Sequence, residues 1–395
     1  MNELPVLLMC AGAIVVAYTY LGYPLFLLLH RPRRPVTTQR TDAKAPSVAV
    51  VIAVHNEEEC IGARISNLLE SAYPDDQLTI LIGSDASSDG TNVILERIHN
   101  PRIQVKLFPV RRGKAAVLND LIDCVHSDII VFSDANTLYD RGCIAALVHG
   151  FQDPMVGGVC GELRLRSDAP DVRPSSETTY WSYESFIKRR EGMVSSTIGA
   201  TGAVYAVRRG LVRRLPTETV VADDLMQSLH VISQGRRFSY EPAAVAYESP
   251  AESVVGEMRR RVRIGAGNIA AVKPYLELLS PRHGYIALGL LSHKILRWVV
   301  PFALAMSLLS AIAHVVMNGA LPLHIWSSAA LAGWFILGWI LERFRRPAGI
   351  GGLLYYVVVV NAGLGWGLLR GLFGRLEPSW SKITRSSSEQ EGRPS

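Results

Sequence analysis

Apolar residues follow two patterns along this chain. At both ends they form long, nearly unbroken runs, whereas the middle alternates short apolar blocks with helically spaced ones. The block Val48 to Val54 is continuous and rich in valine, which predicts a strand buried on both faces of a parallel sheet. It stops at His55-Asn56-Glu57, and residues 58–70 then carry Ile61, Ile65, Leu68 and Leu69 at helical spacing. A second strand, Leu78 to Ile82, runs into the polar stretch GSDASSDG, and Thr91 to His99 reads as the next helix. Strand Val105 to Phe108, helix Ala115 to Cys124 and strand Ile129 to Phe132 continue the order. Such alternation predicts an α/β fold, Rossmann-like, with a mostly parallel sheet covered by helices. It occupies one domain over residues 47–275.

The end runs call for a membrane. Leu4 to Leu29 holds no charged residue and is long enough to cross a bilayer. Glu3 and the absence of Lys or Arg in the first five residues favour a retained anchor, residues 1–30, over a cleaved signal peptide. The cluster HRPRRP (30–35), with Arg40 and Lys44 after it, puts the following domain on the cytoplasmic side of a cell (inner or plasma) membrane. Three more apolar stretches, Ile295 to Met317, Leu321 to Leu341 and Ile350 to Phe373, make a C-terminal membrane region over 285–374 of a multi-pass protein. ERFRR (342–346) separates the second stretch from the third. In the third, Gly351, Gly352, Gly363, Gly365 and Gly367 allow either close helix packing or a re-entrant shape, so the side on which the chain ends stays open. The tail, 384–395, is polar and expected to be disordered.

Composition narrows the classes. Of 395 residues 49% are hydrophobic, and the mean hydropathy of +0.19 is high for a soluble protein of this size. The net charge of +6 comes from basic residues clustered beside the apolar runs and in one later segment, which suits membrane lipids or a phosphate ligand and argues against nucleic acid. Five cysteines without CxxC spacing support neither a disulfide framework nor a zinc site.

Ligands of open parallel sheets sit at the carboxyl ends of the strands. His55, Asn56 and Glu57, then Ser84 and Asp85, then Ser133 and Asp134 all follow strand ends, so three polar clusters share one edge. Asp85 and Asp89 can instead serve as an N-cap or Asx-turn. In SDAN (133–136), Asp134 and Asn136 offer two oxygens two residues apart, a spacing that can hold a hard divalent cation together with phosphates. RRGKAAVLN (111–119) sets Arg111, Arg112 and Lys114 ahead of a helix, as a phosphate contact would require, without P-loop spacing. In GATGAVYAVRR (199–209) the glycines suit either a backbone approached by a ligand or a simple turn. Asp223 and Asp224 in VVADDLM lie between apolar neighbours, which is costly unless one is a base or both begin a helix. EMRRRVRIGAGN (257–268) fits an amphipathic helix on anionic lipid, with Val262 and Ile264 dipping in, and equally a diphosphate clamp. In TYWSYE (179–184), Trp181, Tyr183 and Glu184 suit sugar stacking or an interfacial aromatic cluster.

In their order, these segments resemble the membrane-anchored family 2 glycosyltransferases of GT-A fold, the superfamily of cellulose, chitin and hyaluronan synthases, over about Val48 to Asn268. VHNEE resembles the end of that family's first strand, and SDASSDGT its DDxSxDGT motif with Ser84 in place of the first aspartate. The resemblance implies that His55, Asn56, Glu57, Asp85 and Lys114 bind the donor nucleotide. It puts SDAN at the DxD motif, with Asp134 at the diphosphate and Asp134 and Asn136 holding Mg2+ or Mn2+. It makes Thr201, Gly202 and Asp223 acceptor-side residues and Asp224 the catalytic base. RRVRI stands at the QxxRW motif, with Arg260 and Arg263 facing the diphosphate; Ile264 replaces the tryptophan typical of processive synthases, so one or a few additions are as compatible as a long chain.

The implied activity is metal-dependent, inverting transfer from a nucleotide-sugar donor to a lipid-linked or glycan acceptor, in polysaccharide biosynthesis at the cell surface. A polyprenyl-phosphate glycosyltransferase and an inactive sugar-nucleotide-binding scaffold are the alternatives. A transporter would need more spanning helices with ionisable groups inside them.

Overall fold

The computed structural model describes residues 4–33, 44–166, 176–218, 222–250, 254–318 and 349–374. Eight strands form one sheet in the order β3-β2-β1-β4-β7-β6-β8-β5. They are β1 (Val48–Val54), β2 (Leu78–Asp85), β3 (Ile103–Phe108), β4 (Ile129–Phe132), β5 (Leu138–Tyr139), β6 (Val156–Leu165), β7 (Tyr205–Arg208) and β8 (Arg237–Glu248). Four of the seven pairings are parallel: β1 with β2, β1 with β4, β2 with β3, and β6 with β8. The expected strands all form. The antiparallel insertion of β7 between β4 and β6 has no counterpart in the local pattern.

The unbroken apolar run of β1 has a physical cause in the layering. Val48, Val50, Ile52 and Val54 point into one hydrophobic cluster, while Ala49, Val51 and Ala53 point into another on the opposite face. Both faces are dry, so no polar alternation survives. Helices α2 (Ile61–Leu69), α3 (Thr91–Glu96) and α4 (Lys114–Ile122) connect the parallel strands, and α5 (Cys143–His149) follows β5. Close packing of α4 on β2 needs Gly83, where a Cβ would come within 2.5 Å of Val117.

Two helices among the described residues are long and apolar enough to cross a membrane: α1 (Leu4–Leu29) and α9 (Tyr285–His314). Both turn large apolar side chains outward, among them Leu7, Ile14, Leu21, Leu308 and Leu309. They touch closely at Gly12, whose absent Cβ would overlap the Ser307 hydroxyl. The remaining long helices are α6 (Ser176–Val194), α7 (Asp223–Ser233), α8 (Val254–Val272) and α10 (Gly349–Leu372). The glycines of the last apolar stretch resolve into close packing: α10 is one continuous helix, and Cβ atoms at Gly363, Gly367 and Gly371 would strike the α8 backbone. The Val262 carbonyl lies against Gly367, so α8 and α10 meet backbone to backbone there. The stretch 321–341, the ERFRR cluster, Arg40 and the tail 384–395 lie outside the described residues.

Candidate active site

Among the described residues the only two non-glycine positions with left-handed φ are Asn56 (56°) and Ala86 (52°), directly after β1 and β2. That conformation costs an L-residue about 1–2 kcal/mol, and such strain concentrates at functional edges. Side chains hold both turns in place. The His55 Nδ1–H donates to the Asp85 carbonyl at 2.7 Å, Asn56 Oδ1 accepts from the Ser88 amide at 2.8 Å, and Thr91 Oγ1 accepts from the Glu57 amide at 2.8 Å. Asp89 takes the Thr91 amide at 3.0 Å, an Asx-turn that opens α3. Ser84, wholly buried, donates to Asn92 at 2.6 Å. Most of the polarity in SDASSDGT thus stitches one strand-end loop to its neighbour.

Asp85 does something the sequence did not suggest. Its two carboxylate oxygens accept the backbone N–H groups of Arg112 (2.7 Å) and Gly113 (2.8 Å), at the mouth of α4 where a phosphate contact was expected. Gly113 sits at φ 86°, a conformation that favours glycine. The carboxylate of β2 thereby fixes the turn that launches Lys114.

Lys114 projects to the carboxyl edge and bridges two carboxylates, Asp134 at 3.0 Å and Asp223 at 3.3 Å. Burial opposes its charge, but the two aspartates outweigh it and hold the ammonium above the ordinary lysine range. The second Asp223 oxygen accepts from the Tyr205 hydroxyl at 3.2 Å, and the Tyr205 ring stacks on Phe132 at 4.7 Å. Beneath SDAN lies Arg64, fully buried, donating to Ser133 at 2.7 Å and to Asn67 at 2.8 Å, with its guanidinium 4.0 Å from the Tyr139 ring centre. Arg64 escaped the sequence reading because an ordinary helical pattern surrounds it.

Asp224 opens α7 beside this cluster. Its Oδ1 accepts the Leu225 amide at 2.8 Å, and its Oδ2 lies 3.7 Å from the place a Gly202 Cβ would occupy, so the glycine leaves that face of the carboxylate clear. Burial first, and then the charge of Asp223, push the Asp224 carboxyl above the usual carboxylate range; Lys188 and Lys114 pull the other way. Thr201 accepts from Lys188 at 2.8 Å and so belongs to the wall rather than the floor of the site.

The geometry joins His55, Asn56, Glu57, Asp85, Lys114, Asp134, Asp223, Asp224, Thr201 and Gly202 along one edge. Arg260 stands elsewhere: its guanidinium faces Glu177 and Glu257, each at 3.5 Å, and lies 5.5 Å from the Trp181 ring centre. Arg263 sits nearly one turn further along α8, toward Gly267, whose carbonyl accepts the Ala222 amide ahead of Asp223. Trp181, Tyr183 and Glu184 form a junction with the apolar helices, where the Tyr183 hydroxyl donates to the Tyr20 carbonyl at 2.9 Å.

As metal donors, Asp134 and Asn136 supply two hard oxygens, a set that suits Mg2+ or Mn2+ when phosphate oxygens complete the shell. No group of three or more His, Cys, Asp or Glu able to hold a metal ion occurs among the described residues.

The domain that carries this edge resembles known proteins. Residues 49–215 match Glycosyl transferase family 2, a span that includes Asp85, Lys114, Asp134 and Thr201 and stops short of Asp224. The probable glycosyltransferase YdaM of Bacillus subtilis is 26% identical over 277 residues, 66% of each chain. Poly-beta-1,6-N-acetyl-D-glucosamine synthase of Staphylococcus aureus is 28% identical over 225 residues, 56% of this chain and 54% of that protein. The matches thus span between half and two thirds of these relatives' lengths. Among solved structures, the mannosyltransferase PcManGT of Pyrobaculum calidifontis, in complex with GDP-Man and Mn2+, superposes with a TM-score of 0.63 at 22% identity, covering 93% of this chain and 100% of that one. The fold is α/β and GT-A-like. Residues 49–215 are a family 2 glycosyltransferase domain, and the relatives that the chain resembles include a polysaccharide synthase.

Proposed function

We propose that the chain is a membrane-anchored, inverting glycosyltransferase that moves one sugar at a time from a nucleotide-sugar donor to a lipid-linked or glycan acceptor. The observation that carries this reading is the cluster of Lys114, Asp134 and Asp223 with Asp224 beside it on the open face of Gly202. The donor's diphosphate belongs near Lys114, whose ammonium can leave its aspartate partners to meet the phosphates. A bound Mg2+ or Mn2+, held by Asp134 and Asn136, supplies positive charge to the diphosphate leaving group. Asp224 takes the proton of the acceptor hydroxyl as that oxygen attacks the anomeric carbon; the bond from that carbon to the diphosphate oxygen breaks, and the bonding electrons leave with the nucleotide. The raised proton affinity of Asp224 suits a base that must accept a proton near neutrality.

The outward apolar faces of α1 and α9 support a membrane anchor, and HRPRRP after α1 supports a cytoplasmic active site. The names of the relatives support a glycan product, and the GDP-Man and Mn2+ bound to the solved mannosyltransferase support a nucleotide-sugar donor and a divalent cation. The test is nucleoside-diphosphate release by protein in lipid vesicles across a panel of sugar nucleotides, with Mn2+, Mg2+ or EDTA. Metal-dependent release from one donor, abolished in Asp224→Asn, is the expected result. Tight donor binding without release would overturn the reading in favour of a binding scaffold.

A further inference from the structure

One face of α6 carries three buried ionisable side chains, Glu184, Lys188 and Glu191, at the spacing that stacks them along a helix. Each has partners on a different part of the chain. Glu184 pairs with Arg297 and accepts from His293 Nε2 at 3.0 Å, both on α9. Lys188 donates to the Ala200 carbonyl at 3.0 Å and to the Thr201 hydroxyl at 2.8 Å. Glu191 is shared between the two directions. Its Oε2 accepts the Ile198 amide at 2.9 Å, while its Oε1 faces the Tyr23 hydroxyl of α1 and His293 Nδ1 of α9, each at 2.8 Å.

The segment reached by Glu191 and Lys188 is the one beside the proposed base. Its other side is pinned by the Ala200 amide donating to Ser228 Oγ (2.9 Å), a hydroxyl that in turn donates to the Asp224 carbonyl at 2.6 Å. Gly199 takes φ 88° and sits so close to α9 that a Cβ would come within 3.2 Å of Lys294 Nζ. Burying a carboxylate is expensive, and a neutral residue would fill the same space at lower cost. A carboxylate with partners from three segments, Ile198 close by and Tyr23 and His293 far along the chain, does what an apolar residue cannot, which is to hold those segments in one register.

We propose that Glu191 is a positioning residue for glycosyl transfer: one carboxylate ties the Ile198–Gly202 segment to α1 and α9, so the apolar helices set where Thr201 and Gly202 stand beside Asp224. This rests on Asp224 being the base. It makes the apolar helices part of the catalytic geometry, beyond any role as an anchor.

The experiment compares wild type with Glu191→Gln and Tyr23→Phe in lipid vesicles, measuring donor turnover as nucleoside-diphosphate release together with amide hydrogen exchange. Glu191→Gln is expected to lower kcat roughly ten- to hundredfold with donor KM unchanged, because misplacement beside the base slows the chemical step without touching donor binding. Exchange at residues 198–202 should quicken while the amides of Arg112 and Gly113, held by Asp85, stay protected. Tyr23→Phe, which removes one of three bonds, should give a smaller change of the same kind and covers the case in which Glu191→Gln does not fold. An unchanged kcat in a folded variant overturns the proposal, as does a donor KM that rises in step with the loss of rate. If the wild type releases no nucleotide, the functional reading has failed; exchange at 198–202 then decides the positioning claim by itself, and unchanged exchange overturns it.

Discussion

The two sides of the site are built by different means. On the proposed donor side, β1 and β2 end in short loops joined largely through backbone amides, as where Asn56 meets Ser88 and Asp85 meets Gly113. On the proposed acceptor side, α6 carries buried charges that pair both with the nearby 198–201 segment and with residues more than a hundred positions away, as where Glu191 meets Ile198 and His293. Hydrogen bonds between neighbouring loops need only the strand order, whereas a buried charge needs its particular partner in place and is costly without it. The loops after β1 and β2 should therefore tolerate change gradually. The acceptor side should respond to single substitutions.

The largest expected effect tests where the chemistry lies. Asp224→Asn should reduce donor turnover by about 10²–10⁴-fold, the range for loss of a general base, while donor binding measured by calorimetry persists. Lys114→Met comes next: it leaves Asp134 and Asp223 without their shared cation and should raise donor KM roughly ten- to hundredfold, the worth of a hydrogen bond to a charged group. If it lowered kcat alone, Lys114 would belong with the acceptor side.

A pH profile sharpens the comparison further. Asp224 must be ionised to accept a proton and its proton affinity is raised, so activity falls as pH drops through a value above the ordinary carboxylate pKa of about 3.9. Asp223→Asn removes the neighbouring negative charge and should move this acid limb down; Lys188→Met removes an opposing positive charge and should move it up. Limbs that stay fixed in both variants would assign the titration to another group.

Two smaller effects concern stability alone. Gly367→Ala puts a Cβ about 2.1 Å from the Val262 carbonyl oxygen and should cost about 1–3 kcal/mol in a detergent melt, the usual range for overpacking. Ala86→Gly relieves a left-handed φ worth about 1–2 kcal/mol and loses about 0.5–1 kcal/mol to added chain freedom, so a net gain near 0.5 kcal/mol is expected. A loss on that substitution would mean that the turn after β2 is not strained.

The sequence by itself determined the parallel half of the sheet, because a strand buried on both faces leaves an unbroken apolar run and the polar residues that follow it must lie at one edge. It also placed the candidate residues from His55 to Asp134 on that edge as a group. Tertiary structure alone decided what those residues touch. Asp85 met backbone amides rather than open space, Arg260 met Glu177 and Glu257 rather than the cluster around Lys114, and the glycines of α10 met the backbone of α8. It also brought in Arg64, the contact of Tyr205 with Asp223, and the alignment of Glu184 with Lys188 and Glu191. The reason is distance along the chain: periodicity records which face of an element is dry, but a hydrogen bond or ion pair between residues far apart in sequence leaves no periodic trace in either segment.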